Sequence, residues 1–149
     1  MSYTKLLYHI IFRTKKNENV INEAHEKELY AYIMGFIKNK KSHLYRIGGM
    51  PDHIHILTDI HPSIAVSDFM RDMKSNASKW LKKNSNFPHF NGWAESFAAF
   101  TYNEKEKDII TNYIKKQKVH HAAITFEEKL RQLLIENGIK IDEHYFLKD

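Results

Sequence analysis

Residues 6–13, LLYHIIFR, constrain the fold more than any other stretch of the chain. Apolar, β-branched and aromatic side chains follow one another there with almost no alternation, which predicts a strand buried on both faces. Such a strand lies inside a sheet and needs cover on both sides. The remaining segments are the candidates for that cover. Asn17-Glu18-Asn19 breaks the run. Asn22 then stands as the cap of a helix through about residue 39, with Leu29, Tyr32, Ile33, Phe36 and Ile37 on one face at 3.6-residue spacing. Residues 43–47 open a second strand, Gly49-Met50-Pro51-Asp52 reads as a turn, and residues 53–60 form a third strand, completing a hairpin.

The second half repeats the theme. Ser63 is the expected cap of a helix to about Asn84, striped by Val66, Phe69, Met70, Met73, Ala77, Trp80 and Leu81. An irregular piece from Trp93 leads into a fourth strand at residues 96–102, SFAAFTY. Asn103 caps a helix from Glu104 to about Val119, residues 120–125 connect, and a last helix runs over 126–137 to a C′ glycine, Gly138. The order predicts an α+β fold: a ferredoxin-like βαββαβ sandwich with a four-stranded antiparallel sheet and helices on one face. The extra C-terminal helices are left to cover the sheet or a partner. We expect one domain over residues 1–149, with a core at about 3–121 and a C-terminal helix and tail at 122–149.

Composition narrows the chemistry. The chain has 149 residues and no cysteine, which excludes disulfides, iron–sulfur clusters, thiolate zinc sites and a cysteine nucleophile. No apolar run approaches the ~20 residues of a membrane span. The N-terminal residues lack a signal-peptide layout, so a soluble, cytoplasmic protein without a membrane partner is expected. The five glycines are too scattered for a phosphate-cradling loop. A formal charge of +5 permits a polyanionic partner without requiring one.

The most informative stretch is Pro51-Asp52-His53-Ile54-His55-Ile56-Leu57. Residues i and i+2 of a strand share a face, so His53 and His55 point one way and Ile54 and Ile56 the other, into the core. Two imidazoles about 6.5–7 Å apart at their Cα atoms can converge on one cation, or they can be polar residues on an exposed strand face. Asp52 is a turn residue that closes the hairpin. Downstream, Tyr113 and Gln117 are four apart on a predicted helix and share its face. The phenol is a nucleophile candidate or an ordinary amphipathic core residue. The amide is a metal-ligand candidate or a solvated helix end. Arg71, Lys74, Lys79, Lys82 and Lys83, interleaved with Ser75, Asn76 and Ser78, suit phosphate contacts or an ordinary solvated face.

Taken together, these motifs resemble the single-tyrosine HUH transposases. That group comprises the TnpA-type enzymes of small insertion sequences and their repeat-associated relatives. The resemblance rests on His-Ile-His after Pro-Asp, the Lys- and Ser-rich helix, Trp93-Ala94-Glu95-Ser96-Phe97, Tyr113-Ile114-x-x-Gln117 and the following His120-His121. It extends from the first strand through His121. It implies a ferredoxin-like sheet and an enzyme that cuts and rejoins single-stranded DNA at the hairpin-containing ends of a mobile element. Residue by residue, it implies Tyr113 as the nucleophile of a 5′-phosphotyrosine intermediate, and His53, His55 and Gln117 as ligands of a divalent ion, Mg²⁺ or Mn²⁺. Arg71, Lys74, Lys79, Lys82 and Lys83 become DNA-binding candidates, Arg46 and Gly48-Gly49 become a second place where a DNA backbone can come close, and a homodimer is expected. The alternatives are a non-catalytic nucleic-acid-binding module on the same sheet, which the fold alone permits, and a small metal-dependent hydrolase.

Overall fold

A computed structural model of the chain describes residues 2–120, His120 by its backbone only, and 124–149. Its sheet is antiparallel, in the order β2-β3-β1-β4. Strand β1 spans Leu7–Arg13, β2 Leu44–Met50, β3 His53–Asp59 and β4 Ala98–Tyr102. The unalternating run thus occupies an inner position, and every residue of β1 except Tyr8 is buried. This is the ferredoxin-like α+β arrangement predicted from element order.

Each face of the sheet has its own cover. Helices α1 (Glu26–Asn39) and α2 (Val66–Lys82) lie on one side. There Ile10, Phe12, Ile54 and Ile56 pack with Leu29, Ile33, Ile37, Phe69, Met73 and Ala77 in one buried cluster. Helices α3 (Lys107–Lys115), α4 (Gln117–His120) and α5 (Phe126–Glu136) lie on the other. Leu57 packs there with Ile110 and Ile114, and Ile11 and Phe100 pack with Phe126 and Leu133. Full burial of a side chain of this size contributes about 1.5–3 kcal/mol. The second cluster therefore supplies ample reason for α5 to dock on its own sheet.

Several local expectations are corrected. Helix α1 starts at Glu26; Asn22 Oδ1 instead accepts the His25 N–H at 2.9 Å and closes a preceding turn. Helix α2 starts at Val66 behind an uncapped Ala65, while Ser63 bonds to His61 at 2.6 Å. Gly48 and Gly49 belong to β2, and the turn is Pro51-Asp52 alone. The predicted third helix is broken. Asn103 and Glu106 form a reciprocal capping box around a 3₁₀ turn, α3 ends at Lys115, and α4 resumes at Gln117. The last helix closes as read: Gly138 has φ +69° and donates to the Ile135 carbonyl, while Ile139 donates to Leu134. The predicted connection at 120–125 includes residues 121–123, His121 among them, which lie outside the described residues. Among the described residues no helix is long and apolar enough to cross a membrane.

Candidate active site

His53 and His55 share the face covered by α3 and α5, as their strand alternation requires. Both are fully buried, so the exposed-face alternative does not hold. Their ring centroids are 5.1 Å apart. Each is backed by a second group. The Nδ1 of His53 donates to Asp52 Oδ1 at 2.6 Å, because a carboxylate can only accept. That bond leaves the Nε2 lone pair facing inward. Asp52 Oδ2 accepts from Asn17 Nδ2 at 3.0 Å. Asp52 therefore does more than close a turn: it selects the tautomer of His53.

Behind His55 stands His9, on the same face of β1. His9 Nε2 and His55 Nδ1 are 2.9 Å apart and the rings stack at 5.1 Å. Burial pushes the His9 imidazole down to about 4, so it is neutral at neutral pH. A neutral His9 can accept the His55 Nδ1–H, which turns the other nitrogen of His55 into a donor atom for a ligand. The sequence signal for His9 was a single imidazole inside the apolar run, and sequence reasoning passed over it.

Tyr113 reaches the same place from α3. Its ring lies 5.8 Å from His55 and 5.9 Å from His9. Burial pushes the phenol above its usual value, partly offset by hydrogen bonding from the Gln117 side chain. Glycine makes this approach possible. A Cβ on Gly48 would stand 3.0 Å from the Ile114 carbonyl oxygen and 3.1 Å from its Cγ2. Gly48 is opposite His55 in register, so the close approach that sequence reasoning reserved for DNA is used by α3. A Cβ on Gly49 would meet the His53 carbonyl at 2.2 Å, so that position serves the hairpin.

Gln117 is buried at the first residue of α4. Its Nε2 donates to the Tyr113 carbonyl at 3.1 Å across the helix break. Its neighbour Lys118 anchors α4 by donating to Glu26 at 2.8 Å and to the Gly49 carbonyl at 3.0 Å. The amide oxygen of Gln117 accepts from the Lys129 ammonium, and that ammonium also lies 3.5 Å from His53 Nε2. Lys129 comes from α5 and is 2% exposed. Burial pushes its amine down to about 8, with the Asp52 charge opposing. Sequence reasoning did not find Lys129, although it stands in the buried stripe Phe126, Lys129, Leu133, where a lysine is out of place.

Two imidazoles and an amide oxygen, with a carboxylate behind one ring, are a donor set suited to a divalent cation completed by water. Among the described residues no group of three or more His, Cys, Asp or Glu side chains could hold a metal ion, so such a site here depends on the amide. The fit is supported by a physical observation: His53 Nε2 and Gln117 Oε1 already share a cationic neighbour.

The basic side chains of α2 are not brought to this cluster; α2 packs on the opposite face of the sheet. Lys79, Lys82 and Lys83 are exposed. Arg71 bridges Asp68 at 3.1 Å and Asp72 at 3.4 Å. Lys74 is engaged within the fold, donating to the carbonyls of Ala94, Glu95 and Ser96 at 2.9 Å each.

Residues 2–117 match the family model of IS200-like transposases. No curated protein sequence matches at a significant level. Several solved structures share the fold, among them the following two. One is a provisionally assigned transposase from Deinococcus radiodurans R1, with a TM-score of 0.58 and 24% identity, covering 78% of this chain and 95% of that one. The other is a REP-associated tyrosine transposase bound to a REP hairpin, with a TM-score of 0.62 and 14% identity, covering 95% of this chain and 93% of that one. The family match spans most of the chain, and the chain therefore belongs to the IS200-like transposase family.

Proposed function

We propose that this transposase cuts and rejoins single-stranded DNA at the ends of a mobile element, using Tyr113 as nucleophile. The observation that carries the proposal is the approach of Tyr113 to within 5.8 Å of His55, with Gln117 beside it at the start of the next helix. In the first step the Tyr113 Oη–P bond forms and the P–O3′ bond of the scissile phosphodiester breaks. The phenolic proton leaves and the departing oxygen is protonated, giving a free 3′-OH and a 5′-phosphotyrosine. In the second step a 3′-OH attacks that phosphorus and the phenol is released. The bond energy is conserved in the intermediate, so rejoining needs no nucleotide cofactor.

His53, His55 and Gln117 would hold Mg²⁺ or Mn²⁺, with Asp52 and His9 orienting the two rings. A bound divalent cation supplies Lewis-acid stabilisation of the scissile phosphate and favours the ionised phenol. The protein's own part is to place the phenol and exclude water from it. Because burial raises the Tyr113 phenol, attack requires the local electrostatics to change when substrate enters.

The REP-associated transposase that shares this fold is bound to a REP hairpin, and we extend that substrate class to this chain. Arg71, Lys79, Lys82 and Lys83 are assigned to phosphate contacts, since their side chains are exposed along α2 and at its C-terminal cap. Lys74, committed to three carbonyls, would act by holding the loop before β4. A homodimer would let one assembly handle two DNA ends. The test is incubation with hairpin-bearing single-stranded DNA and Mn²⁺, followed by denaturing electrophoresis. A covalent protein–DNA adduct is expected, and Tyr113→Phe should abolish it. An undiminished adduct in that variant removes Tyr113 as nucleophile. Hairpin binding with no adduct, indifferent to metal and to His53→Ala, would favour the non-catalytic module instead.

A further inference from the structure

A buried ammonium needs strong partners, because leaving water costs it several kcal/mol. Lys129 finds its partners among the atoms a metal would use. Its Nζ donates to Gln117 Oε1 and lies 3.5 Å from His53 Nε2, with Asp52 behind that imidazole. An amide oxygen, an imidazole nitrogen and a second-layer carboxylate describe the surroundings of a cation, whether organic or metallic. Two cations cannot share them. Donor atoms bind an ion such as Mg²⁺ at about 2.0–2.1 Å, and at such spacing an ammonium held by the same atoms would be driven out by like-charge repulsion.

We propose that Lys129 is an internal occupant of the cation seat, so that metal binding and withdrawal of the Lys129 ammonium are a single exchange. This rests on the metal-site reading given above. The lysine keeps His53 and Gln117 aligned while the metal is absent. It also lowers metal affinity, because the seat must be vacated first. Placement on α5 makes the exchange sensitive to that helix. Phe126 packs on the His53 ring at 4.6 Å and Leu133 joins the cluster around Ile11 and Phe100, so Lys129 is aimed by contacts on both sides of it. Whatever loosens α5, including an arriving DNA strand, would free the seat.

The test is Mn²⁺ titration of the full chain, reading free Mn²⁺ by electron paramagnetic resonance, with thermal unfolding in parallel. Lys129→Met keeps the length and apolar stem without the charge. It should bind Mn²⁺ about tenfold or more tightly than wild type, the scale of removing one competing charged hydrogen bond. Metal-free Lys129→Met should melt below wild type and regain the difference with Mn²⁺. Should the methionine variant fail to fold, Lys129→Gln offers a neutral donor to Gln117 and should shift affinity in the same direction. Adding His53→Ala should abolish the gain. Equal or weaker Mn²⁺ binding in folded Lys129→Met or Lys129→Gln overturns the exchange. If that binding is still lost with His53→Ala, the metal-site reading survives without it. If no variant binds Mn²⁺ through His53, both fail.

Discussion

Replacing Asp52 with asparagine probes the arrangement behind the proposed metal ligands. Asp52 accepts two hydrogen bonds on its two oxygens, from His53 Nδ1 at 2.6 Å and Asn17 Nδ2 at 3.0 Å. Asparagine has one acceptor oxygen, so Asp52→Asn satisfies only one donor. If the amide turns its NH₂ toward His53, the ring must shift its proton to Nε2 and forfeit the lone pair offered to a cation. If the oxygen stays, the bond survives without its charge. His53 is fully buried and the Asp52 side chain is 12% exposed, so solvent screens this pair little. A charge-assisted bond is worth about 1.5–3 kcal/mol against about 0.5–1.5 for a neutral one. The difference of about 1–2 kcal/mol corresponds to roughly 5–30-fold in affinity, within the ~10–100-fold typical of such backing groups. The Asp52 charge also steadies the Lys129 ammonium. The comparison is therefore made in the Lys129→Met background, by calorimetric titration with Mn²⁺. Affinities within twofold of each other, in a protein that melts normally, would refute the orienting role of Asp52.

Two further outcomes follow from the geometry. Gly48→Val puts methyl groups against the Ile114 backbone, where even a Cβ meets the carbonyl oxygen at 3.0 Å; overpacking of this kind costs about 1–3 kcal/mol. Displacement of α3 should cut DNA-adduct formation by more than the melting loss accounts for, and adduct formation at the wild-type rate would show that the close approach is dispensable. His9 gives a pH dependence in metal-free protein. Its folded value is lowered to about 4 from 6.5, so the unfolded chain binds more protons between those values. Stability is therefore full above pH 6.5 and falls as the pH drops toward 4, by about 2 kcal/mol at pH 5. Urea unfolding in EDTA at pH 7 and pH 5 should show wild type losing that much more than His9→Leu; equal losses would remove His9 as the cause.

The sheet was legible in the sequence because its signals are local and periodic. An eight-residue apolar run has few places to go except the inside of a sheet. The alternation at 53–57 put both histidines on one face and both isoleucines on the other. Helix starts were read less well. Asn22 and Ser63 have the chemistry of caps, yet each bonds to a neighbouring turn, and a capping side chain works equally well in either setting. The break between α3 and α4 carries no proline or glycine to announce it. It arises beside tertiary contacts, with Ile114 against Gly48 and Lys118 tied to Glu26 and Gly49.

What the sequence determined alone was the set of candidate site groups and their faces: two imidazoles two residues apart on a strand, and a phenol and an amide four apart near a helix. Those relations depend only on backbone period. The tertiary structure decided everything that depends on which layer covers which. It placed α3 against the histidine face, put His9 and Asp52 behind the two rings, and brought Lys129 between His53 and Gln117. Positions 9 and 129 are far from 53 and 117 in sequence, and they meet only when β1 pairs with β3 and apolar burial docks α5 onto that face of the sheet. The sequence names the donors of the site, and packing chooses what they face.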